Sequence, residues 1–443
     1  MQFRGKKYSS FSTKPKKETS FATKFQLGTM MFLQYLFFAV WWVQLAAYLS
    51  NLNVEPGQKA LILSSMAIGT LFSPWVGMIA DRYFASNWVL TALNAGTATL
   101  LFLAASTTEP TLLFYYLLGA MICYMPTWSL TSSIAMSHVS RESFPRIRTF
   151  GSLGWVSSAL FSIIAAAMGV VQFDGTSLPL YCGAFTAVAA TLVGFTLPHT
   201  KPSKKNKKAS LADRLGLGAL QLLQEGSFAS FIALSFLAMI PFSVYWSYCS
   251  EFLRDQGFQY ITATMNLGQV VEIGTLLLVP YLIKKVKLKG TMLIGLAALL
   301  IRYVSFYAGG SFSVEAFYFA AILVHGVIFG CFFVGGQVFI DKKAGGGLRN
   351  QAQGFLFQMT WGLGLLLGNW VSAQLIGLFS SPDASGKMVY DWNSIWGLTA
   401  LVSGVVFVGF AALFHEGQKK KKPNLSMSTY RPSSAYDSFR RAG

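Results

Sequence analysis

Glu272 stands in the middle of a long apolar run, with Gln269 three residues earlier on the same helical face. An ionisable side chain is expensive in hydrocarbon and is by default a functional group there. A carboxyl in that setting can load and release a proton, and beside an amide it can hydrogen-bond the hydroxyls of a neutral solute. The competing reading is a helix–helix contact, with Arg302 in the next apolar run as the partner. Arg148, Ser152 and Trp155 are spaced so that a guanidinium, a hydroxyl and an indole share one helical face. That face suits hydrogen bonding to a planar ring and stacking on it, although Arg148 is close enough to the end of its run to be an ordinary flanking cation. His325, alone in its run, is either a satisfied core residue or a proton relay. Gln34 needs a partner for a buried amide and is expected to find it at a cavity wall. Glu272, Arg302 and His325 are the ionisable residues that read as deep. No HExxH, GxSxG or phosphate-binding loop occurs, which disfavours an intramembrane enzyme and an ATP-driven pump. No cofactor or metal is expected.

The elements that must position these residues follow from composition. Of 443 residues, 53% are hydrophobic and only 12% charged, about half the charge of a soluble domain. With 35 Lys+Arg against 17 Asp+Glu the chain carries +18. The basic residues sit between apolar runs and are not spread over a soluble fold, which argues against nucleic acid as a partner. Cys123, Cys182, Cys249 and Cys331 fall in or beside apolar runs and read as buried hydrophobes. The first apolar run, Phe25 to Ser50, is too long for a signal peptide and reads as an uncleaved span.

Runs long enough to cross a bilayer lie near 25–50, 60–80, 87–106, 110–136, 149–170 and 178–197. They resume near 228–250, 260–283, 289–309, 315–338, 353–375 and 392–414. The expectation is an all-α membrane protein of twelve spans in two six-helix bundles, 25–197 and 228–414, joined by a basic linker, 198–227. A basic N-terminus, 1–24, and a basic disordered tail, 415–443, flank them. If the N-terminus is cytoplasmic, 31 of the 35 basic residues lie inside, and Lys59, Arg254 and Lys387 lie in outside loops. A miscounted span would invert every later loop, so both ends are expected to be cytoplasmic, in the inner or plasma membrane. The Lys-rich linker and tail account for topology and can also bind anionic lipid.

Two six-span halves around a midplane site describe a rocking transporter. Between the second and third spans, Gly77-Met78-Ile79-Ala80-Asp81-Arg82 resembles the major facilitator signature, in which Gly77 allows close helix approach and Asp81 and Arg82 form a gating turn. The Gly-Arg-Lys that follows in that family is replaced by Ala85, Ser86 and Asn87. A narrower resemblance is to the nucleoside:proton symporter family, the bacterial nucleoside permease type. It is carried by Phe144-Pro145-Arg146-Ile147-Arg148 with Gly151 and Gly154, by Tyr124-Met125-Pro126-Thr127, and by Arg302. Val338-Phe339-Ile340-Asp341-Lys342, with Arg349, Ala352, Gln353 and Gly354, completes it.

That resemblance implies proton-coupled uptake of a nucleoside or a related hydroxyl-rich solute by alternating access, by a monomer. Glu272 and His325 would handle the proton. Arg148, Gln269, Glu272, Ser152, Trp155, Gln34, Ser243 and Trp246 would contact the solute, and Arg302 would be structural. Two departures stand out. Gly330 occupies the place of the family's acidic residue in the tenth span, and Ser243 and Trp246 replace two amides in the seventh. The alternative is a sugar or other-metabolite carrier with altered or absent proton coupling.

Overall fold

The structure is a computed structural model and describes residues 19–139, 144–169, 172–202, 217–384 and 388–417. The N-terminal arm, most of the linker and the tail beyond 417 lie outside the described residues. Eleven helices are long and apolar enough to cross a membrane. In the first half they are α1 (Phe21–Asn51), α2 (Pro56–Ala80), α3 (Ser86–Ala105), α4 (Pro110–His138), α5 (Arg146–Ala167) and α6 (Leu178–Thr196). In the second, α7 is Gly226–Asp255. The next stretch, Ile261–Phe312, is 52 residues long, roughly 78 Å if straight and far beyond a hydrocarbon core of about 30 Å. It breaks at Lys287, whose φ of 63° and ψ of 176° are not helical. It therefore supplies two spans, α8 (261–286) and α9 (288–312). The remaining spans are α10 (Ala316–Ala344), α11 (Gln351–Leu378) and α12 (Trp392–Leu413). Twelve spans result, as the apolar runs require.

Local chemistry sets several ends. Pro110 begins α4 behind Glu109, whose carboxylate accepts from the amides of Thr111 and Leu112 at 3.0 and 2.6 Å. Asp391 caps α12 through the Ser394 amide. The linker is not featureless to its end: Leu217–Gln224 form a 3-10 helix with Ala219 fully buried. Before α12 a short hairpin pairs β1 (Ser380–Pro382) antiparallel to β2 (Met388–Tyr390). Both α10 and α11 contain a widened π-helical turn, at Ile328–Val334 and Gln358–Gly364. Such turns cost regular hydrogen bonding and recur beside functional sites.

The halves are clasped at the face opposite the linker. Lys59 of α2 donates to Glu251 of α7 at 2.6 Å, and Asn51 of α1 accepts from Arg254 at 3.2 Å. Asp174, in the α5–α6 loop, accepts from the amide and hydroxyl of Thr262 at 2.9 and 2.8 Å. Deeper in, Asn369 and Gln358 of α11 donate to the Leu63 and Thr70 carbonyls of α2. Further toward the linker face, a Cβ at Gly77 would meet nothing within 4 Å. The expectation of close helix approach at Gly77 is not met here, since no neighbouring atom stands where its side chain would be. The side chains of Asp81 and Arg82 lie outside the described residues.

Candidate solute and proton site between the halves

Arg148 and Glu272 stand on α5 and α8, which meet across the interface of the halves where Asn266 lies 2.9 Å from Ser158. The guanidinium of Arg148 lies 4.4 Å from the ring centroid of Tyr35 on α1, a cation–π contact within the first half. Ser152 is half-buried one turn beyond Arg148. Arg148 lies two residues inside the start of α5 and is half-buried.

One turn before Glu272, Gln269 ends 3.0 Å from Nε2 of His325. The other ring nitrogen, Nδ1, is 2.9 Å from Nη2 of Arg302. Arg302 is fully buried, stacks at 3.8 Å on the Tyr245 ring and donates from Nε to the Ala321 carbonyl. The expected Arg302–Glu272 pair therefore does not form. α10 approaches α8 so closely at Gly326 that a Cβ there would lie 2.2 Å from the Glu272 backbone nitrogen. That contact brings His325 against Gln269 and interposes the imidazole between the two chains of polar groups.

A small pocket separates the halves at this level. Trp42 and Trp155 wall it from the first half, and Trp246, Asn266, Gln269 and His325 from the second. Trp155 and Trp246 have ring centroids 6.2 Å apart, and Trp246 packs on Trp361 of the widened α11 turn at 5.1 Å. The free volume is about 30 Å³, room for a water or two but not for a solute. The walls must part for anything larger to bind, which is what rocking of the halves does.

Two expected solute contacts are turned elsewhere. Gln34 donates to Asn94 at 3.1 Å and to Thr127 at 2.6 Å, tying α1 to α3 and α4. Its amide nitrogen finds both partners inside one bundle, while its buried Oε1 has none. The Ser243 hydroxyl bonds Ser372 of α11 and the Ile240 carbonyl, at 2.9 and 2.7 Å, and is fully buried. Gly330 also has a structural reason: a Cβ there would lie 2.7 Å from Thr275 Cγ2. Close packing of α10 on α8 occupies the place where the family's acidic side chain would stand.

Lys59 and Glu251, both buried, were not legible as deep charges, because each sits at the end of an apolar run. Lys59 is not a loop cation. It donates to Ser50, Glu251 and Tyr390 at 2.7, 2.6 and 3.1 Å, and Ser50 also donates to Glu251. Asn266 was missed too, since an amide in an apolar run carries no signal of which way it faces.

A model of the family described as nucleoside H+ symporter matches residues 21–419. The chain belongs to the nucleoside H+ symporter family. It is 32% identical over 405 residues to a putative nucleoside transporter, YegT, of Escherichia coli, covering 90% of this chain and 95% of that one. The nucleoside permease NupG of Escherichia coli is 27% identical over 413 residues, covering 88% and 96%. The crystal structure of NupG superposes with a TM-score of 0.76 at 27% identity, over 88% of this chain and 99% of that one. An inward-open structure of the xylose transporter XylE, at 12% identity and TM-score 0.65 over 90% and 98%, shares the fold. As a member of this family the protein is a multi-pass secondary active transporter of the major facilitator fold, not an enzyme.

Proposed function

We propose that this transporter takes up a nucleoside together with a proton, with both termini and the linker in the cytoplasm of a cell whose plasma membrane it spans. The strong excess of basic residues on the linker side supports this orientation, with 31 of 35 on that face. With the linker face cytoplasmic, the clasped opposite face closes the site to the outside. It acts as a monomer, since each half finds its partner within the chain.

The observation that carries the reading is the pocket between the halves, where Gln269, one turn from Glu272, stands beside the indoles of Trp155 and Trp246. Protonation of Glu272 removes a charge from α8 at this interface, so the charge state of the site is linked to the relation between the halves. The neighbouring indoles stack a planar base. Gly330 leaves Glu272 as the acid nearest the solute, so coupling rests on it.

Uptake of labelled uridine into proteoliposomes under an imposed pH gradient tests this. Wild-type uptake should rise with an inward proton gradient, and Glu272→Gln should abolish that dependence while binding persists. Gradient-driven uptake retained by Glu272→Gln would overturn the coupling role. Competition by a panel of sugars, with none by nucleosides, would overturn the solute class.

A further inference from the structure

Arginine only donates hydrogen bonds, so the His325 Nδ1 that lies 2.9 Å from Arg302 must be an acceptor and carries no proton. The neutral ring then holds its proton on Nε2, which must donate to the group 3.0 Å away, the Gln269 amide. Only the amide oxygen can accept, and a half-turn of the amide plane brings it there. The Gln269 NH2 is left facing the pocket. Asn266, one turn earlier, meets the Ser158 hydroxyl of α5 with its Nδ2 2.9 Å away, and its Oδ1 is buried without a partner. Both residues line the pocket walled by Trp155 and Trp246.

We propose that Arg302 and His325 are positioning residues that fix Gln269 as a hydrogen-bond donor, and that with Asn266 presenting its Oδ1 as an acceptor the pocket takes the carbonyl–N–H edge of a nucleobase. The base ring lies against Trp155 and Trp246, its carbonyl accepts from Gln269, and its ring N–H donates to Asn266. The ribose is left to Arg148 and Glu272 on the linker side. This deepens the nucleoside reading and rests on it. It assigns Asn266 to the site and gives Arg302 a role through His325 that its burial alone does not.

Two measurements test it. The first is nitrogen NMR on the full-length transporter with isotope-labelled histidine, the signal being assigned by its loss in His325→Phe. An Nε2–H tautomer is expected. An Nδ1–H tautomer overturns the proposal whatever the solute is.

The second is equilibrium binding of uridine and two analogues, one methylated at the ring N–H and one lacking the adjacent carbonyl oxygen. Each analogue should bind the wild type about tenfold or more weakly, because it leaves a buried partner unsatisfied. In His325→Phe the Gln269 amide is free to turn. Discrimination against the carbonyl-less analogue should then fall toward unity, while discrimination against the methylated one persists. Asn266→Ala should give the reverse pattern. A purely structural role for His325 would weaken all three ligands together, and that result, or equal binding of the three ligands by the wild type, overturns the proposal. Failure of the wild type to bind any nucleoside would instead overturn the nucleoside reading and with it the base-edge assignment, whereas the tautomer reports on the positioning chain alone.

Discussion

Arg302 of α9 and His325 of α10 form a buried contact in the second half, with Nη2 2.9 Å from Nδ1. The guanidinium also stacks on Tyr245 and bonds the Ala321 carbonyl, so three elements, α7, α9 and α10, are held by one planar cation. A flat, delocalised group is needed for that geometry, and an ammonium cannot both stack and direct two donors at fixed angles. Arg302→Lys should therefore lower stability by about 1.5–3 kcal/mol, the range for a lost hydrogen bond to a charged group. Thermal unfolding in detergent checks this, and an unchanged melting curve would show that the charge alone suffices.

Lys59 and Glu251 join the halves at the face opposite the linker, where both are almost fully buried. Glu251 Oε2 has no hydrogen-bond partner, so the pair depends on the single close contact through Oε1. Removing Lys59 leaves the buried Glu251 with only the Arg254 guanidinium, 3.9 Å from Oε1, to offset its charge, and breaking a buried pair costs about 3–5 kcal/mol. Lys59→Met should thus loosen the clasp, raising the reactivity of a cysteine placed at the buried Val54 toward an impermeant thiol reagent. Adding Glu251→Gln to Lys59→Met should restore most of the protection. A double variant as labile as the single one would mean that the charges are not coupled.

Gly330 permits α10 to lie against Thr275 of α8, with a Cβ only 2.7 Å from its methyl group. Gly330→Asp should overpack this contact and cost about 1–3 kcal/mol. Thr275→Ala removes the methyl group and should recover part of that loss in the double variant. The thermal midpoints of the three variants decide it. Full tolerance of Gly330→Asp alone would show that α10 moves aside freely.

Asp174, outside the spans, bonds Ser162 and Thr262 and so ties the α5–α6 loop to the start of α8. Burial raises its carboxyl above the ordinary aspartate range, against the lowering effect of those hydrogen bonds. The clasped state therefore binds the proton more tightly than an open state in which the carboxyl is hydrated. Its contribution to closure is fullest below the ordinary aspartate range and is lost as pH rises through the elevated value. Hydrogen exchange of the 256–262 segment should quicken over that window in the wild type. Asp174→Asn, which cannot titrate, should remove the dependence, and a dependence that survives the change would place it on another group.

Much of the architecture was legible in the chain because bilayer thickness dictates it: apolar runs of a set length, separated by basic turns, admit few alternatives to twelve spans. Arg148, Gln269 and Glu272 were legible as well, since a polar side chain in hydrocarbon is conspicuous wherever it points. Direction was not legible. Gln34 and Ser243 look no different in sequence from Gln269 and Asn266, yet the former pair closes contacts within one bundle and the latter pair lines the interface.

The sequence by itself determined the number of spans, their division into two halves and the family, because these follow from composition and local order. Only the tertiary structure decided which charges meet. Arg302 bonds His325 and not Glu272 because α10 packs on α8 at Gly326 and inserts the imidazole between them. Lys59 is buried and not in a loop because the halves close over it. Such pairings join residues tens to hundreds of positions apart, and they are set by how helices cross, which no local pattern records.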